Sequence, residues 1–103
     1  MLGNLGEMAK LLSRVKDIQR GMKEFRDELP RMEFSAVSSD GKVTATISGD
    51  LVVKRLDFAP GSDPIAAKAA VIEAINSAMT SAKTALRDKM KELSGGIDIP
   101  GLM

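Results

Sequence analysis

Histidine, cysteine, tryptophan and tyrosine are all absent from the chain, and phenylalanine occurs three times in 103 residues. Without cysteine there can be no disulfide and no thiolate metal site. Without histidine the commonest general base, the commonest zinc ligand and the usual partner of a nucleophilic serine are missing. What remains for chemistry is carboxylate, amine and hydroxyl, so an enzyme is the weakest of the readings, and no metal centre, cofactor or small-molecule substrate is expected. The lack of tryptophan and tyrosine removes the stacking platforms on which single-stranded nucleic acid and sequence-read RNA are usually held. Few large rings also mean few heavy core anchors. A domain of this size buries a modest share of its surface, so a second copy of the chain is a natural source of further burial.

Long apolar runs are absent too. No stretch approaches the twenty or so apolar residues that span a bilayer, which argues against a membrane protein. The start, Met1-Leu2-Gly3-Asn4, has no basic segment ahead of an apolar run and does not read as a signal peptide, so a cytoplasmic protein is expected. Charge of one sign is also missing. Fifteen basic and fourteen acidic residues leave a formal net charge of +1, which by itself announces no polyanionic partner. No Walker loop, zinc-finger spacing or dinucleotide fingerprint occurs.

What is present is periodicity. Met8, Leu11, Val15, Ile18, Met22, Phe25 and Leu29 recur at alternating intervals of three and four, a heptad seam that predicts a helix over residues 5–29. Leu12 widens the seam at its start. Asn4 followed by Glu7 resembles a capping box, and Pro30 closes the segment. Gly21, inside the helix, costs about 1 kcal/mol relative to alanine. Either a second helix comes close there or the glycine faces solvent.

A β zone follows. Ser38-Ser39-Asp40-Gly41 and Gly49-Asp50 are turn sequences that separate three strands, at 32–37, 42–48 and 51–58. Val43, Ala45 and Ile47 alternate with Thr44 and Thr46, as in a half-buried strand. In the third strand Val52, Lys54, Leu56 and Phe58 are expected on one face and Val53, Arg55 and Asp57 on the other. Lys54 and Arg55 therefore cannot form one patch, and protection of a sheet edge is the expected role of at least one of them.

Pro60-Gly61 ends the sheet. Asp63 and Pro64 suit the start of a second long helix, whose apolar stripe is Ile72, Ile75, Met79, Ala82, Leu86 and Leu93, with Met90 beside it. Its alanines favour helix and permit close packing. Ser94-Gly95-Gly96 stops it. The methionines on these stripes are packing residues. The fold class is α+β, in the order α-β-β-β-α, with a three-stranded antiparallel meander. The chain reads as a single domain over residues 1–103, with 1–4 and 97–103 as flexible tails. One small sheet cannot cover two long helices, so the helix ends project or pair with another subunit. The two helices are separated by three strands, which rules out a helix-turn-helix reader of bases.

Several stretches, in order, resemble a known family. They are Gly41-x-Val43-x-Ala45-x-Ile47-Ser48-Gly49, then Val53-Lys54-Arg55-Leu56-Asp57-Phe58-x-Pro60, then Val71-Ile72-x-Ala74-Ile75-Asn76-x-Ala78, and finally Gly95-Gly96 with Ile99-Pro100-Gly101. Over nearly all its length the chain resembles the YbaB/EbfC family of bacterial nucleoid-associated proteins. The resemblance implies a homodimer whose sheets join in the middle and whose helices project like open tweezers. It also implies binding of double-stranded DNA with broad specificity, and an influence on nucleoid organisation and gene expression.

DNA binding with so small a net charge must come from local charge. Each Lys or Arg that neutralises a phosphate releases a condensed counterion. The candidates are Lys10, Arg14, Lys16, Arg20 and Lys23 on the first helix and Lys83, Arg87 and Lys91 on the last. Lys16, Arg20 and Lys23 share one face by spacing. The competing reading is an ordinary solvated face, because Asp17, Glu24, Asp27 and Glu28 lie among them. For the last helix it is complementation of the helix dipole near the C-terminus. At the level of function, the alternative is a protein-interaction module in which the heptad seams dock a partner helix, for instance of a replication or recombination protein, without direct DNA binding.

Overall fold

The computed structural model describes residues 2–95, with side chains from Leu5 onward, and the tail expected at 97–103 lies outside them. The order of elements is α1 (Leu2–Glu28), β1 (Glu33–Val37), β2 (Val43–Ser48), β3 (Val53–Phe58) and α2 (Lys68–Leu93). The strands form one antiparallel sheet in the order β1-β2-β3. This is the α+β meander expected from the sequence. The molecule is elongated, 73 × 20 × 17 Å.

The helix ends differ from their expected positions. α1 begins at Leu2, so Asn4 lies inside the helix and does not cap it. At the other end Pro30 sits in a single 3₁₀ turn, Leu29–Arg31, that turns the chain into β1. Asp63 caps a turn and not α2. Its carboxylate accepts the Ile65 N–H at 3.0 Å, its carbonyl accepts the Ala67 N–H at 3.0 Å, and α2 starts only at Lys68. The stop at Ser94 and Gly95 is as expected, with Gly95 at a φ of 74°.

Both hairpin turns are built by the same device. Ser38 and Ser48 are buried, and each is followed two residues later by an aspartate. Ser38 Oγ donates to Asp40 at 2.6 Å and accepts the Val43 N–H at 3.1 Å. Ser48 Oγ donates to Asp50 and accepts the Val52 N–H at 3.3 Å. Each hydroxyl thus serves as the hub of its turn. The Ser38 hydroxyl, and then the Lys42 N–H, hold the Asp40 carboxyl below the ordinary carboxylate range. This contribution to stability is present above that range and is lost as the pH falls below it. The second turn puts Leu51 at a φ of 64°, a conformation that costs a side chain with a Cβ roughly 1–2 kcal/mol.

The core is thin and rests on β2. Val43, Ala45 and Ile47 are fully buried, and against them lies a line of fully buried alanines on α2: Ala74, Ala78 and Ala82. The stripe expected from hydropathy is displaced. Ile75 and Met79 flank the core, while Ile72 is 61% exposed. The reason is proximity: a helix that lies flat on a sheet can place only small side chains at the line of closest approach. α2 packs over β1 and β2 and leaves β3 uncovered. Val53, Leu56 and Phe58 are all exposed.

β3 also departs from simple alternation. Ala45 pairs with Leu56 and Thr46 with Arg55, but Ile47 pairs with Val53, so Lys54 is the extra residue of a β-bulge. Val53 therefore joins Leu56 and Phe58, contrary to the alternation read from sequence. Lys54 and Arg55 reach the same carboxylate, Glu33, at 3.9 and 3.3 Å. They form one patch after all, already neutralised by Glu33 and by Asp57, which lies 3.7 Å from Arg55.

Two substitutions test this account. Ala78→Leu, which forces α2 off β2, is expected to destabilise the fold by about 3 kcal/mol or more. Leu51→Asn, which relieves the left-handed residue, is expected to stabilise it by about 1 kcal/mol, or roughly 5 °C in Tm. Thermal unfolding followed by circular dichroism reads both.

Candidate nucleic-acid interface

The two helices run antiparallel where they meet. A Cβ added at Gly21 would lie 3.1 Å from Leu93, which settles the role of this glycine: it lets α2 approach. Met22 and Met90 line one hollow between the helices, and Phe25, Lys89 and Leu93 line another. Further along, the Arg14 guanidinium lies 3.8 Å from the position of a Cβ at Gly95. The C-terminal halves of α1 and α2 thus pack together, and the seam residue Phe25 is buried. α2 ends at Leu93 beside Gly21, the Arg14 side chain reaches to Gly95, and residues 5–17 of α1 are all exposed. On that arm the seam has no cover: Leu5, Met8, Leu11 and Leu12 are about 60% exposed.

All eight candidate cations are exposed, but they do not form a single surface. At about 100° per residue, Lys16, Arg20 and Lys23 lie roughly half a turn from Phe25, on the side of α1 turned away from α2. Arg14 lies on the Phe25 side, beside the end of α2, and Lys10 is near it on the projecting arm. Lys83, Arg87 and Lys91 follow the outer side of α2, running off the buried line of Ala82 and Leu86. Each helix therefore offers an outward basic stripe. Arg20 pairs with Asp17 at 3.1 Å, with both side chains well over half exposed, so the pair is weak and water-screened. Lys89 pairs with Glu92 at 3.5 Å and is half-buried, so it adds little to the α2 stripe.

Pairing the helices in this way separates charge along the molecule. Residues 5–28 and 80–95, which share one end, carry ten basic and seven acidic side chains. Residues 29–79, which form the sheet end, carry five basic and six acidic ones. A net charge of +1 thus conceals a basic end and a slightly acidic end. The whole-chain charge could not show this, because it requires knowing that the first and last quarters of the chain lie side by side. Among the described residues no helix is long and apolar enough to cross a membrane, and no group of three carboxylates is placed to hold a metal ion.

An elongated α+β protein with exposed cationic stripes on both helices offers a polyanion a surface and not a pocket. The comparisons with known proteins make this specific. Residues 4–97 match the model of the YbaB/EbfC DNA-binding family, and the chain belongs to that family. It is 32% identical to a nucleoid-associated protein of Synechococcus sp. (strain RCC307), over 98% of this chain and 94% of the relative. It is also 32% identical to one of Synechocystis sp. (strain ATCC 27184 / PCC 6803 / Kazusa), over 98% and 91%, and 31% identical to one of Gloeothece citriformis (strain PCC 7424), over 98% and 91%. Membership makes this a DNA-binding protein of the nucleoid-associated kind and not an enzyme.

Because the stripes are exposed and contribute nothing to the core, the combined change of Lys16, Arg20 and Lys23 to Glu is expected to alter stability by less than about 1 kcal/mol. Urea unfolding checks this, and a larger loss would show that the stripe supports the fold.

Proposed function

We propose that this chain is a single-domain protein that binds double-stranded DNA as a homodimer, with low sequence specificity, through the basic end formed by α1 and α2. The observation that carries the reading is the concentration of positive charge at that end. Lys16, Arg20 and Lys23 on α1 and Lys83, Arg87 and Lys91 on α2 contact phosphates, and Lys10 and Arg14 extend the contact along the projecting arm. Such contacts position the protein on a duplex without reading its bases. Specificity, where it exists, comes from the shape and deformability of the duplex.

The homodimer is supported by the sheet. β3 is an edge strand that α2 leaves bare, and it exposes Val53, Leu56 and Phe58. An exposed apolar edge is a template for pairing with a second chain. Sheets joined at β3 give a dimer with a basic arm at each end, a tweezer that clamps the duplex and bends or bridges it. Acting on the nucleoid in the bacterial cytoplasm, such a clamp alters nucleoid organisation and gene expression. A dimer that bridges DNA and protein also accommodates replication or recombination proteins as partners, and capture of these from a lysate by the tagged dimer tests that extension.

The decisive experiment is fluorescence anisotropy on a mixed-sequence duplex across a salt series. Affinity is expected to fall linearly on a log–log plot, and a dimer that engages ~6 phosphates gives a slope of about −5. The Lys16, Arg20 and Lys23 triple change to Glu is expected to abolish binding at physiological salt. Normal binding by that variant would remove α1 from the interface, and a flat salt response would overturn phosphate clamping altogether.

A further inference from the structure

The first half of α1 carries an apolar seam that no described residue covers. α2 lies against Met22 and Phe25, whereas Leu5, Met8, Leu11, Leu12 and Val15 are all exposed. The charges that border this bare stretch are ordered. Glu7 and Arg14 lie seven residues apart, each immediately before a seam residue, Met8 or Val15, so both stand on the same edge of the stripe. Leu5 and Leu12, again seven apart, widen the other edge. Glu7 and Arg14 are about 10 Å apart along the helix, too far to pair with each other. Among the described residues neither forms an ion pair.

This pattern complements itself in one orientation. When two copies of a helix pair antiparallel along a heptad seam, each edge meets the same edge of the other copy, running the opposite way. With Met8 set opposite Leu11 of the second copy, Glu7 comes opposite its Arg14 and Leu5 opposite its Leu12, and each contact recurs by the two-fold symmetry. The parallel orientation offers no such match. There one edge meets the other, so Glu7 faces Leu12 and Arg14 faces Gln19. A parallel partner would also run on beside the stretch that α2 already covers, whereas an antiparallel one runs on past the N-terminal end of the arm, away from α2.

We infer that the bare stretch of α1 is a second self-association surface, on which the α1 of another copy packs antiparallel, with Met8 against Leu11 and Glu7 paired to Arg14 at both ends. It is separate from the β3 edge, so chains that pair at both surfaces join dimers into larger assemblies. In the joined arms Arg14 answers Glu7, while Lys10 and Lys16 lie further round the helix and stay outside the contact.

Charge reversal tests the pairing, because the two positions must match across copies and not within one. Sedimentation equilibrium of the full-length protein, without DNA, is expected to show a mass that rises with concentration beyond any β3 dimer. E7R and R14E each set like charges opposite one another and are expected to weaken that step about tenfold. The double variant E7R/R14E restores opposite charges and is expected to regain the native behaviour, as is an equimolar mixture of the two single variants. Single variants that assemble like the native chain, a double variant and mixture that stay dissociated, or a native chain without such a step would each overturn the inference. A second readout changes no charge. The native chain has no cysteine, so tagged Met8→Cys chain oxidised with untagged Leu11→Cys chain is expected to give a mixed disulfide at several-fold the yield of the off-seam pair Ala9→Cys and Ser13→Cys. Equal yields would count against the register. Every variant keeps β3 and no DNA is present, so failure here leaves the β3 dimer and the DNA-binding reading untouched.

Discussion

The structure depends on the contact between three alanines and one strand. Ala74, Ala78 and Ala82 let α2 lie directly on Val43, Ala45 and Ile47, and nearly all the fully buried apolar surface of the described residues is in that contact. Close approach fixes the helix over β1 and β2, and two consequences follow from its width. One helix, about 10 Å across, cannot also cover a third strand, so β3 is bare. And because α2 is long, its C-terminal half runs past the sheet to meet α1, whose own first half then projects further still. The uncovered surfaces, to which the proposed function assigns DNA and a second copy, are thus the remainder of a small core placed asymmetrically.

Much of this was legible in the sequence, for identifiable reasons. The heptad of α1 and the turn sequences Ser38-Ser39-Asp40-Gly41 and Gly49-Asp50 are local signals, and local signals survive without knowledge of the fold. The strand Val43–Ser48 alternates so regularly that its apolar face could be assigned, but alternation predicts a half-buried strand, and Thr46 and Ser48 on the other face are buried as well. The alanine line of α2 was not legible as a core, because hydropathy ranks Ile72 above Ala74, while packing distance ranks them the other way. The bulge at Lys54 was hidden for a similar reason. Alternation in β3 reads smoothly through Val52 to Phe58, and only pairing with β2 reveals that one residue is extra. That single residue reverses the expected separation of Lys54 and Arg55 and brings both to Glu33.

The candidate site shows the same division. Which residues are basic and which share a helical face can be read from spacing, and Lys16, Arg20 and Lys23 do lie together on the outward side of α1. That Arg14 faces the end of α2 could not be read, because it depends on where the second helix stops beside the first. Gly21 is intermediate: a glycine within a heptad offers two meanings, and the 3.1 Å approach to Leu93 selects one.

The charge of +1 is the most misleading number the sequence offers, and the fold explains why. Electrostatic attraction in physiological salt decays over about 8 Å, so a phosphate responds to the cations nearest it and not to the total. The molecule is 73 Å long, many times that distance. A duplex at the helical end would therefore meet a surface with an excess of three positive charges, and the slightly acidic sheet end is screened from it. The acidic end still has an effect at close range. On the reading proposed above, a molecule that approaches DNA with its sheet first would be repelled and one that approaches with its arms first held, so the near-neutral composition would orient the binding surface that it hides.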